Sequence, residues 1–289
     1  MRRAALALVC TLIATSLFAA TAADYAAAGR AAMERDDVEA AVAAYKKAVA
    51  AEPLNAQYHF LLGTAYGRQA QRVNVLKQAS LAKKTKAEFE RAVELDPNLL
   101  EARFALIDYY LIAPGFMGGS EPKALAQAAE IKKRDALDGH RAYARVYMRQ
   151  KKNDLARKEY VDAVREQPKS AKAHYFLGGF LMNEKNWDGS MHEYEMVLQL
   201  DPNFAPVLFR IGQHAARSET NYARGEQALR KYLTHKPADN EPSLSAAWYW
   251  LGQVQEKQGK KAEAKQSYSK ALELAPSSTE VKDALKRVS

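Results

Sequence analysis

Glycine returns along this chain at a fixed distance. Gly29 is followed 34 residues later by Gly63, and Ala144, Gly178 and Gly212 keep the same interval. Tyr160 and Tyr194 are also 34 apart, as are Pro168 and Pro202. Such a period means one small unit copied in tandem, because a unit of this size cannot bury its own apolar face and must stack on its neighbours. Around it, units carry an aromatic or Leu, then Ala, then Pro, as in Tyr45, Ala48, Pro53; Phe89, Ala92, Pro97; Tyr160, Ala163, Pro168; and Tyr268, Ala271, Pro276. Ala41, Tyr45, Ala48 and Val49 fall at helical spacing, so each unit reads as two short helices. Asp96-Pro97 and Asp201-Pro202 punctuate the ends, since proline keeps its predecessor out of helical backbone.

These residues resemble the tetratricopeptide repeat (TPR), a helix-turn-helix unit that stacks into a right-handed superhelical solenoid. Phased on the glycine, seven units begin near Ala22, Ala56, Leu100, Leu137, Ala171, Ala205 and Ser245. The resemblance implies an all-α solenoid over residues 24–278, closed by a capping helix over 279–289, where Val281, Ala284, Leu285 and Val288 make one apolar side. The intervals leave about ten extra residues in the second unit, near 67–86, three in the third and six in the sixth. The third unit departs most. Ile107 stands at its glycine position and no proline closes it near Ala136, so non-ideal packing is expected there.

The first 23 residues read as a secretory signal. Arg2 and Arg3 precede an uncharged, mostly apolar run from Ala4 to Ala20, then Ala20-Thr21-Ala22-Ala23 and the first acid, Asp24. Cleavage is expected after Ala22 or Ala23, with a periplasmic product; an uncleaved anchor is the alternative. Cys10, the one cysteine, lies in this run, so a disulfide framework, a cysteine zinc site and a CxxC pair are excluded. Loss of Arg2 and Arg3 reduces the basic residues from 43 to 41 against 34 acidic ones, and the formal charge from +9 to +7.

Little in the sequence points to catalysis, a metal or a cofactor, and none of these is expected. The six histidines include no HExxH pair, and no Ser/His/Asp set can be assembled. His59, His140 and His174 all fall four residues before the glycine position, where Trp248 stands in the last unit, and read as packing residues. The Pro114-Gly115-Phe116-Met117-Gly118-Gly119-Ser120 segment (loop 113–120) resembles a loop in a subset of exported bacterial TPR proteins. Gly118, Gly119 and Ser120 read either as an anion-holding run of amides or as a hairpin needing left-handed backbone. A nucleotide P-loop is excluded because no Gly-Lys-Ser/Thr follows. From Gly67 to Ala87 there are six basic residues and no acid: Arg68, Arg72, Lys77, Lys83, Lys84 and Lys86. They suit either solvated helix surface or contact with anionic lipid head groups, an acidic protein or a polyanionic envelope polymer.

The resemblance also implies a concave groove lined by residues three before and one and five after the glycine position. Three before it stand Phe60, Phe104, Arg141, Tyr175, Phe209 and Tyr249; Arg145 stands one after, and Arg68, Arg149 and Arg217 five after. An aromatic row beside an arginine row suits a peptide with apolar anchors and acidic groups. The Lys and Asn pair of the two-carboxylate clamp occurs in no unit. The expectation is a non-enzymatic exported scaffold that binds envelope proteins through this groove, without nucleic acid. The alternative is a small-solute or polyanion binding accessory, for example of a transport system.

Overall fold

The computed structural model describes residues 20–238 and 241–289. The apolar run of the expected signal, residues 1–19, lies outside the described residues. Within them the chain is all-helical, with fifteen α-helices, one 3-10 turn and no strand. None of these helices is long and apolar enough to cross a membrane.

The chain divides into two compact units between Ser120 and Glu121. The first holds α1 (Ala22–Glu34), α2 (Val38–Ala51), α3 (Ala56–Ala70), α4 (Val75–Leu95), α5 (Leu100–Ile112) and the 3-10 turn Gly115–Met117. The second holds α6 (Glu121–Lys132), α7 (Ala136–Arg149), α8 (Asn153–Glu166), α9 (Ala171–Asn183) and α10 (Trp187–Leu200). It continues with α11 (Ala205–Ser218), α12 (Tyr222–Tyr232), α13 (Leu244–Lys257), α14 (Lys261–Leu274) and α15 (Thr279–Arg287). The leading helices begin at 22, 56, 100, 136, 171, 205 and 244, within one residue of the starts set by the glycine phase. The division falls inside the third repeat, the copy with Ile107 at the glycine position. Ile107 is fully buried in α5, while α6 pairs with α7, where Gly139 lets the backbone approach Lys132.

Local chemistry accounts for the helix ends. Thr21 and Asp24 form a capping box on α1, and Asn55, Asn74, Asp135, Ser170, Asn186, Ser243 and Ser278 each accept from an amide of the first turn. Four of the hairpin turns use one left-handed residue. Asp36, Lys151 and Lys185 occupy it at φ near +60°, and Gly259 at φ 76°. The extra residues of the second repeat lengthen its hairpin: α4 has 21 residues against 14 in α2, α8, α10 and α14.

Four repeats close on the same contact. The recurring glycine faces the ring of the residue that opens the aromatic-Ala-Pro series: Gly29 meets Tyr45, Gly63 meets Phe89, Gly178 meets Tyr194 and Gly252 meets Tyr268. In the sixth repeat Leu229 replaces the ring against Gly212. Tyr45, Tyr194 and Tyr268 are essentially inaccessible. At the C-terminus Val281 and Ala284 of α15, with Val288 just after it, cover Ala264, Tyr268 and Ala271 of α14, which otherwise would face water.

Candidate binding face

The glycine contact fixes the roll of each leading helix and so decides which side chains reach the surface. In the first unit Phe60 and Phe104 are half-buried, with Phe60 leaning on Phe89 at 6.0 Å between ring centroids. In the second unit Arg145, Arg149 and Arg217 are exposed, and Arg141 is half-buried. The Arg141 guanidinium sits 4.1 Å from the centre of the Phe176 ring and pairs with Asp138. Tyr175 is half-buried among Phe176, Tyr194 and Phe204, at 5.7, 6.4 and 5.2 Å. Tyr249 stands against Trp250 and Tyr268, and burial together with Glu280 pushes its hydroxyl up to about 12.

Phe209 departs from the sequence expectation. It is 5% exposed and packs on Tyr232 at 5.7 Å inside the largest apolar cluster of the second unit, so it offers a partner almost no surface. With a leucine rather than a ring against Gly212, the sixth repeat takes the Phe209 ring into its core. The next residue, Arg210, reaches Tyr175 instead. Its Nε donates to the Tyr175 hydroxyl at 3.2 Å and a terminal nitrogen donates to Gln213 at 2.9 Å. The phase rule passed over Arg210 because it lies between the positions assigned to the groove.

The basic arm is partly neutralised. Arg68 and Arg72 both pair with Asp36 at the tip of the first hairpin, and Lys86 pairs with Glu90 at 3.2 Å. Lys84 lies 5.6 Å from the centre of the Tyr66 ring. Lys77 and Lys83 are exposed and have no ion pair among the described residues.

The glycine loop is not built to hold an anion through Gly118, Gly119 and Ser120. The amides of Met117 and Gly119 donate to the Pro114 carbonyl at 2.8 and 3.1 Å, that of Gly118 to Gly115 at 2.9 Å, and that of Ser120 to Tyr110 at 2.8 Å. Every amide of that run is spent within the protein. Gly118 takes φ 93°, and a Cβ on Gly119 would collide with the Ala113 carbonyl, so both glycines serve the turn. Tyr109 donates its hydroxyl to the Met117 carbonyl at 2.7 Å and pins the loop to α5.

The three in-phase histidines tie hairpins together. His59 and His174 direct Nδ1 at Glu88 and Glu193, at 2.6 and 2.5 Å, and Nε2 at the carbonyls of Pro53 and Pro168, both at 3.0 Å. His140 lies between Glu159 at 2.7 Å and Glu166 at 3.1 Å. The partner glutamates each precede a hairpin aromatic, in Glu88-Phe89, Glu159-Tyr160 and Glu193-Tyr194, a signal that was present in the sequence. Among the described residues no three His, Cys, Asp or Glu side chains gather as a metal site.

Residues 29–69 match a TPR repeat model, and residues 141–203 and 245–278 match two tetratricopeptide repeat models. Tetratricopeptide repeats are thus found in three stretches of the chain. A tetratricopeptide repeat protein from Parabacteroides merdae superimposes with a TM-score of 0.53 at 16% identity, over 92% of this chain and 98% of that one. Human IFIT1, solved as a dimer with PPP-AAAA, superimposes with a TM-score of 0.58 at 19% identity, over 87% of this chain and 59% of its own. The general transcriptional corepressor ssn6 of Schizosaccharomyces pombe is 24% identical over 130 residues, 45% of this chain but only 11% of the corepressor. At these identities the similarity is one of TPR fold.

Proposed function

We propose that this protein is a non-enzymatic, exported TPR scaffold that holds an acidic, partly apolar segment of an envelope protein on the face carrying Tyr175. The observation that carries the reading is the arginine series of the second unit. Arg145, Arg149 and Arg217 are exposed, Arg149 and Arg217 have no ion pair among the described residues, and Tyr175 of the same unit is half-buried. Exposed guanidinium groups beside an aromatic surface match carboxylates set among apolar anchors. Export rests on the signal-like first 23 residues.

The test is crosslinking in intact cell envelopes from a photo-reactive residue at position 183, with identification of the captured proteins. The expected result is a discrete set that disappears when Arg145→Glu and Arg149→Glu are combined. Capture that survives charge reversal removes this face from the reading. A second contact, with an anionic polymer or membrane surface, is favoured at Lys77 and Lys83, which are exposed and unpaired. Its mark is binding to anionic vesicles that is lost at high salt and when both are changed to Gln.

A further inference from the structure

In the last repeat the histidine bridge is replaced. His59, His140 and His174 stand four residues before the glycine position, and each meets the glutamate that precedes a hairpin aromatic. At the same two positions the seventh repeat carries Trp248 and Ser267, with Ser267 just ahead of Tyr268. Ser267 is shorter than a glutamate and donates instead to Gln255 Oε1 at 2.7 Å. A cleft of about 790 Å³ opens there, with Trp248 and Ser267 both in its wall. Clefts that hold small organic ligands span about 300–1,000 Å³.

The trailing helices α12 and α14 each pack on α13 and supply the two sides. Arg230 of α12 reaches Glu263 of α14 at 3.6 Å across the gap. Along α14 the wall presents Ala262, Lys265, Ser269 and Lys270 at helical spacing, so two small residues leave room beside the long ones. Trp248 is half-buried, and its indole N–H stays open to solvent with no acceptor among the described residues. Such a donor is free to meet a ligand.

Charge around the cleft is unbalanced by one. Arg230 and Lys260 both answer Glu226, Arg230 also leans on Glu263, and Lys270 pairs with Glu273. Lys265 is exposed and has no ion pair among the described residues. Among these groups four cations meet three carboxylates, and Lys265 is the cation left over.

We propose that this cleft binds a small aromatic monocarboxylate, with its ring beside Trp248 and Ala262 and its carboxylate toward Lys265. The trailing helices form the site, so it is separate from the groove of the leading helices and independent of the groove reading. Trp248 supplies apolar area and one N–H donor, and Lys265 supplies the charge. Glu263 opposes a second negative charge on the ligand.

The experiment titrates the processed full chain by calorimetry with naphthoate, its neutral counterpart naphthamide, and acetate. The expected result is measurable binding of naphthoate, at least about fivefold weaker binding of naphthamide and none of acetate, the scale of one partly exposed charged contact. Lys265→Gln brings naphthoate and naphthamide to equal affinity. Ser269→Leu fills the cleft and removes both. Lys265 is exposed, so its substitution leaves the fold intact and keeps the test valid if Ser269→Leu unfolds. Absence of naphthoate binding, or equal binding of naphthoate and naphthamide by the unaltered chain, overturns the proposal. So does acetate that binds as tightly as naphthoate, or naphthoate binding that persists in folded Ser269→Leu. Envelope capture from position 183 that still depends on Arg145 and Arg149 would leave the groove reading standing in each of these cases.

Discussion

Two adjacent glycines in α9 should respond to the same substitution with opposite signs. At Gly178 an added Cβ would lie 2.6 and 2.8 Å from two ring carbons of Tyr194 and 3.2 Å from the Cβ of Glu193. Ordinary carbon contact is about 3.5–4.0 Å, so the two helices would have to part by roughly 1 Å. The Tyr194 ring has no solvent side to swing into. Overpacking of this kind costs about 1–3 kcal/mol, and with two ring carbons well inside contact the upper part of that range applies; alanine returns about 1 kcal/mol through helix propensity, so Gly178→Ala should lose up to about 2 kcal/mol. At Gly179 the same methyl meets only a hydroxyl at 3.9 Å, an ordinary contact, and Gly179→Ala should gain about 0.5–1 kcal/mol. The variants should differ by about 2 kcal/mol, or roughly 5 °C in Tm for a unit of this size. Thermal unfolding followed by circular dichroism measures this, with urea titration at constant m-value as a check. Equal shifts in one direction would refute the assignment of Gly178 to the helix contact and Gly179 to the open face.

Three further outcomes are expected. Burial opposes ionisation of Glu226, but hydrogen bonds from Arg230, Lys260 and Gln258 outweigh it and hold the carboxyl at about 2, below its ordinary 4.5. The folded value is the lower one, so its stabilisation is present above about pH 4.5 and is lost as pH falls toward 2. Glu226→Gln should flatten that part of the acid limb by about 2 kcal/mol in denaturant titrations. His174→Ala removes a buried bridge between Glu193 and the Pro168 carbonyl and should cost about 2–3 kcal/mol by urea unfolding, with Glu193→Gln milder; a neutral His174→Ala would mean that the bridge does not form in solution. Gly119→Ala should destabilise the first unit by more than 1 kcal/mol because its Cβ has no room beside the Ala113 carbonyl, whereas Phe116→Ser, at an 82% exposed position, should leave Tm unchanged.

The repeat phase was legible because a glycine and an aromatic at fixed separation express one packing contact, and the contact recurs wherever the pair does. Gly178 with Tyr194 and Gly252 with Tyr268 repeat that contact at one separation. Phe209 escaped the same rule. Its exposure depends on what its neighbouring hairpin supplies, and Leu229 in place of a ring changed the answer. Arg210 was invisible for a related reason, since its role arises from Tyr175 one repeat away, 35 residues earlier. The glycine loop admitted two readings from sequence, and the choice turned on where its amides point.

The histidine bridges say where such a chain can change length. His59 and His174 each bond a carbonyl six residues back, but their glutamates lie 29 and 19 residues ahead. The ten-residue difference is absorbed in the hairpin tip, while the base stays clamped in both repeats. Evolution and protein engineering therefore have two permitted edits: new sequence threaded through a tip, or a whole 34-residue period copied so that proline, histidine and glutamate travel together. A deletion that starts between Pro168 and His174 and is not a full period would strand a buried imidazole, and selection would remove it however harmless it looked on the surface.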